Sequence, residues 1–220
     1  MTNAVVVTTN VISIAKQIGE YTSIAQNIVL ALCGLATVVI AYLGLTTWRK
    51  ELKGKSEYAK AKEVLKAVYK VQRGFMHVRG PAIYSYEYPE EMRDDFGSPK
   101  AGKDYEATAH VYDTRWKVLS ESFRELEEQN LDAQVEWGPE FKDAMVPLRK
   151  CNVELRIAIQ DFLEGKKNPY ERRSRSPEEK AAERSILYYV GENSKHDTFT
   201  PEINAAIEQL EKKLRPHIQR

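Results

Sequence analysis

Tyr21-Thr-Ser-Ile-Ala-Gln-Asn-Ile-Val-Leu-Ala-Leu-Cys-Gly-Leu-Ala-Thr-Val-Val-Ile-Ala-Tyr-Leu-Gly-Leu-Thr-Thr-Trp48 carries no formally charged side chain, and its central part from Ile24 to Thr47 holds eleven Leu, Ile or Val residues. A mean hydropathy of -0.52 for the whole chain conceals this segregation. Twenty-four helical residues rise about 36 Å, against a hydrocarbon thickness of about 30 Å, so the segment is long enough to cross a bilayer with some tilt. Eleven strongly apolar residues favour insertion by about 3 to 7 kcal/mol before the smaller polar costs of Asn27, Thr37 and Gly44. A cleaved leader fits less well: the uncharged run exceeds an ordinary leader core, and the residues before it offer only Lys16 and Glu20.

The flanks set the expected orientation. Trp48, Arg49, Lys50, Lys53 and Lys55 follow the span immediately, and basic residues so close to a span stay in the cytoplasm, with Trp48 as an interfacial anchor. The expected order is an extracytoplasmic segment at 1–22, a transmembrane helix at 23–47, a cytosolic three-helix core at 48–164, a basic linker at 165–176 and a C-terminal helical pair at 177–220. Arg49 to Arg220 carries 32 basic and 31 acidic side chains, which predicts no strongly anionic partner; nucleic acid is not expected. Cys33 in the span and Cys151 in the soluble part are placed too far apart to pair, consistent with a reducing compartment.

Beyond the span, apolar positions recur at helical spacing. Tyr58, Ala61, Leu65, Val68, Gln72 and Phe75 form one stripe, which Gly80 and Pro81 stop. A loop is expected from Ala82 to Gly102, then a helix from Asp104 to about Asn130 on Ala109, Tyr112, Trp116, Leu119, Phe123 and Leu126. A third helix carries Phe141, Met145, Leu148, Cys151 or Asn152, Leu155, Ile159 and Phe162, with Pro147 kinking it or marking its start. Pro177 to about Val190 forms a fourth. The fifth opens with Thr200 as N-cap, Pro201 and Glu202, and buries Ile203, Ile207, Leu210 and Leu214. No alternating strand pattern occurs. The expected fold is all-α: one N-terminal transmembrane helix followed by a cytosolic up-down helical bundle.

The strings Trp48-Arg49-Lys50-Glu51-Leu52-Lys53-Gly54-Lys55, Leu65-Lys66-Ala67-Val68-Tyr69-Lys70, Val78-Arg79-Gly80-Pro81 and Val135-Glu136-Trp137-Gly138 resemble an uncharacterised family of bacterial single-pass membrane proteins. The resemblance covers roughly Trp48 to Phe162. It implies a bacterial inner membrane and carries over no functional residue.

Four groups of residues stand out as candidates. Glu106, His110 and Asp113 share one helical face as a metal or acid-base site needs, although the spacing equally describes a solvated face of local ion pairs. Arg79, Tyr84, Tyr86, Glu87 and Tyr88 are placed to line a pocket where the loop crosses the bundle, or to cover its end. Lys166, Lys167, Arg172, Arg173 and Arg175 form the densest basic patch, a lipid- or partner-binding candidate or a solvated linker. Gly34, Thr37, Ala41 and Gly44 form a small-residue stripe suited to oligomerisation. No cofactor or metal motif is present. The expected partners are the lipid bilayer and a protein partner or a second copy, so the leading expectation is a membrane-tethered scaffold; a metal-dependent membrane-bound hydrolase and a membrane-acting stress or defence effector are the alternatives.

Overall fold

The computed structural model describes residues 2–168, 175–191 and 194–219, with side chains from 16 onward except at 17 and 140. Among them are five α-helices, numbered here in chain order: α1, Thr2–Val78; α2, Asp104–Trp137; α3, Val146–Lys167; α4, Pro177–Leu187; and α5, Phe199–Ile218. The fold is all-α, and the only β feature among the described residues is an isolated bridge between Arg93 and Pro99. The chain divides into two units, Met1–Lys55 and Ser56–Arg220.

The first unit holds one segment long and apolar enough to cross a membrane, and none of its most apolar stretch is buried by protein. Ile24, Leu32, Val38, Ile40 and Leu43 are all more than half exposed. Two of its threonine hydroxyls bond to the helix backbone: Thr37 donates to the carbonyl of Cys33 at 2.8 Å and Thr46 to that of Leu43 at 2.9 Å. Residues 2–22, expected to precede the span, are helical as well.

The second unit is a bundle in which successive long helices run antiparallel. Against α1, α2 is registered by Lys60 with Asp132 and Lys70 with Glu125, both at 2.7 Å, and by the Phe75 and Phe123 rings meeting edge to face at 5.7 Å. Lys166 with Asp104 and Arg149 with Glu127 register α3 against α2. On the other side of α1, Gln72 meets Asn204 and Tyr69 meets Glu211, so α5 returns antiparallel as a fourth long helix. The core joins Val64, Val68, Val71 and Phe75 of α1 to Leu119 and Leu126 of α2, Leu148 and Leu155 of α3, and Ile207 and Leu210 of α5.

Because α1 packs against two neighbours, its buried face is broader than the stripe read from the sequence. Val64, Ala67 and Val71 are fully buried, whereas Tyr58 is 48% exposed and Leu65 and Gln72 are half-buried. Gly74 is needed where α1 passes Leu119 of α2, since a Cβ there would lie 2.8 Å from Cδ1 of Leu119 and 3.2 Å from its Cα. Helix α2 runs seven residues past its expected end, to Trp137. Pro147 does not kink α3 but sits in its first turn, where its missing N–H costs nothing. Helix α3 in turn continues through Gly165, Lys166 and Lys167, beyond the linker start that the sequence suggests; Gly165 is buried in the helix.

Helix α4 starts on a capping box, in which the Glu179 N–H donates to Ser176 Oγ at 3.1 Å and the Ser176 N–H to Glu179 Oε2 at 2.8 Å. It stops at Leu187, leaving Val190 exposed outside the core. The start of α5 differs from the expected one. Thr200 lies inside its first turn, and Asp197 does the capping by accepting from the Thr200 N–H at 2.9 Å and from the Thr200 hydroxyl at 2.7 Å.

Candidate functional site

Where α1 ends, the chain makes a built loop and not a slack connection. Residues 82–102 contain two short 3-10 turns, Ser85–Glu87 and Glu90–Met92, followed by a tight turn at Asp94–Ser98. Asp94 shapes that turn, its Oδ1 accepting from the N–H groups of Phe96 at 3.0 Å and Ser98 at 2.9 Å. Gly97 adopts φ +80°, and a Cβ on it would lie 2.5 Å from Cβ of Ser85, so the turn closes onto the first 3-10 segment. Arg93 adds contacts to the Ser85 carbonyl at 3.3 Å and to Glu90 at 3.1 Å.

Arg115, on α2, fastens this loop to the bundle. Its guanidinium grips Glu87 bidentately at 2.6 and 2.7 Å and donates to the carbonyls of Gly80 at 2.8 Å and Ala82 at 2.6 Å. A planar, permanently charged fork is suited to such a junction. Burial raises the Glu87 carboxyl pKa, but the bonds from Arg115 and the Tyr84 N–H outweigh it and hold the group below the usual glutamate value.

The fastened loop leaves a cleft of about 660 Å³ against α1 and α2. Met76, Pro81 and Val111 supply apolar walls; Tyr84, Tyr86, Glu87, His77 and His110 supply polar edges. The Tyr84 and Tyr86 rings stack in parallel at 5.5 Å with a 4° interplanar angle, both largely exposed.

Of the residues singled out in the sequence, Tyr84, Tyr86 and Glu87 do line this cleft, whereas Arg79 and Tyr88 do not. Arg79 is fully buried on the opposite side, between α4 and α5, where it donates to the carbonyls of Ser185, Ile186 and Tyr188, to the Thr200 hydroxyl at 2.7 Å and to Asp197 at 2.9 Å. Its guanidinium also lies 5.1 Å from the centre of the Phe199 ring. This is a structural latch. Arg115, which performs the role at the loop, has no feature that sets it apart in the sequence from the other arginines of an amphipathic helix.

Glu106, His110 and Asp113 are exposed on α2 without convergence. Glu106 pairs with Lys103 at 3.4 Å and Asp113 with Lys117 at 2.7 Å, as on a solvated face, and among the described residues no three metal-ligating side chains cluster. Of these three residues, His110 alone lines the cleft.

The basic group is divided by its local partners. Lys166 is tied to Asp104 at 2.7 Å, Lys167 lies over the Tyr105 ring at 5.9 Å, and Arg175 pairs with Glu183 at 3.3 Å beside a second cleft of about 700 Å³ between α3, α4 and α5. Arg172 and Arg173 lie outside the described residues. In the first unit, Gly34 and Gly44 have nothing within 4 Å of an added Cβ, so the face with Thr37 and Ala41 is uncovered.

Compared with protein-family models, curated proteins and solved structures, the chain matches none.

Proposed function

We propose that this chain is a membrane-anchored scaffold: Ile24 to Leu45 crosses the bilayer once, and the helical unit Ser56–Arg220 stands on the cytosolic side and docks a protein partner. The observation that carries this reading is the exposed apolar segment near the N-terminus, whose side chains find no protein to bury them. Hydrocarbon is the solvent that such a surface requires. Arg49, Lys50, Lys53 and Lys55 support a cytosolic placement of the helical unit, and the resemblance of this juxtamembrane stretch to bacterial single-pass proteins supports an inner membrane. Trp48, more than half exposed, suits the interface.

The bundle supports a docking role through the rigidly held aromatic loop at the end of α1. Nothing in the Glu106, His110 and Asp113 geometry favours hydrolysis. Fusions after Arg220 test the topology: a cytosol-active fluorescent reporter is expected to report and a periplasm-active phosphatase to stay silent. The reverse pattern overturns the cytosolic assignment.

A further inference from the structure

We infer that the loop at residues 82–102 is the docking surface for a basic, extended segment of a partner protein, which lays apolar side chains on the Tyr84, Tyr86 and Phe96 rings and cationic ones along the acidic rim. This rests on the scaffold reading and specifies its contact.

Three rings stand out from a loop whose backbone is tied down by side-chain hydrogen bonds. Tyr84 is 57% exposed, Tyr86 74% and Phe96 93%. The Arg115 grip on Glu87, the Asp94 turn and the Gly97 contact with Ser85 fix the backbone that carries them. Rigid, exposed aromatics are what interface cores are enriched in, and pre-ordering removes part of the entropy cost of binding. The adjoining cleft, walled by Met76, Pro81 and Val111, is of a size to accept a side chain.

Charge selects the occupant. The loop has five acids and two bases, and Arg115 of α2 neutralises one of the acids, Glu87. Both bases are committed within it, Arg93 to Glu90 and Lys100 to the Glu91 carbonyl. The Glu91 and Asp95 carboxylates make no ion pair among the described residues. An anionic lipid surface is repelled by such a rim, and two copies of the same loop repel each other. A lysine- or arginine-bearing segment is attracted, and its cations are suited to the exposed faces of the stacked tyrosines.

The test places a photocrosslinking phenylalanine analogue at Phe96 of the full-length chain in cells of its source. A second chain carries it at Val135, an exposed position on α2. Mass spectrometry then reads the segment attached. The expected result is a protein segment with excess lysine and arginine captured from position 96, with a yield that falls at least about tenfold in Glu91→Lys, Asp95→Lys. Both substituted residues are exposed, so thermal unfolding of that variant is expected to match the parent. Capture of lipid, of a second copy, of a neutral or acidic segment, or of nothing at position 96 overturns the inference, as does a yield indifferent to charge reversal. Where position 135 captures a defined partner and position 96 does not, the scaffold reading stands and this one fails; where neither captures any protein, both fail.

Discussion

At the residue scale, two buried arginines of the bundle have opposite duties. Arg79 is sealed in the interior with each guanidinium nitrogen hydrogen-bonded, and its partner Asp197 is equally enclosed. A buried pair of this kind adds little over a well-packed apolar substitute, yet removing one partner strands the other charge and costs about 3–5 kcal/mol. Arg79→Ala is accordingly expected to lower the urea unfolding free energy of the bundle by that amount, a large part of the about 5–15 kcal/mol of an ordinary domain. Asp197 also sets a pH dependence. Burial raises its carboxyl pKa, but bonds from Thr200 and Arg79 outweigh burial and leave the group below the ordinary aspartate value. A lowered native pKa means that the unfolded chain takes up the proton first. The stabilisation is therefore complete above about pH 4 and is lost as the pH falls through the native value, and urea midpoints should decline below about pH 4 with a shallower slope in Asp197→Asn. Cys151 provides a third readout. Burial lifts its thiol pKa to about 11, so at neutral pH it should resist a thiol reagent until denaturant opens the bundle.

At the scale of elements, the helices were legible because each amphipathic stretch buries a stripe, and the α3 positions Leu148, Cys151, Leu155, Ile159 and Phe162 are all buried as their spacing implies. On α1 two neighbouring helices require a wider face than one period of apolar residues marks. The loop at 82–102 resisted reading for a different reason: its order comes from polar bonds made by Asp94, Arg93 and the distant Arg115, none of which leaves a periodic trace. The latch is equally silent, since Arg79 and Asp197 lie 118 positions apart. Thr200 offered the expected capping chemistry, yet the cap three residues earlier supplies it because a carboxylate accepts both the backbone and the hydroxyl proton. The loop's dependence on Arg115 and Gly97 is measurable. Arg115→Met should raise amide hydrogen exchange across residues 82–100 while the α1 and α3 cores stay protected. Gly97→Ala places a Cβ against Ser85 at positive φ and should loosen the Asp94–Ser98 turn selectively.

For the whole molecule, the decisive contrast is between two units that treat their apolar residues in opposite ways. Ser56–Arg220 buries its apolar residues in an ordinary core, whereas the preceding unit exposes nearly every Leu, Ile and Val of its apolar segment. Such a surface is costly in water, and the membrane-anchored reading proposed above supplies a hydrocarbon layer for it. The all-α architecture was open to inspection in the sequence because apolar periodicity and an uncharged run are one-dimensional signals. The aromatic loop was not, because the exposure of Phe96 depends on a turn formed by side-chain hydrogen bonds. Washing membranes that contain the full-length chain with alkaline carbonate, followed by intact mass measurement of the retained protein, tests the solvent assignment most directly. An integral span predicts that the chain stays in the pellet with residues 21–48 still attached; release into the supernatant, or a retained chain that has lost those residues, contradicts it.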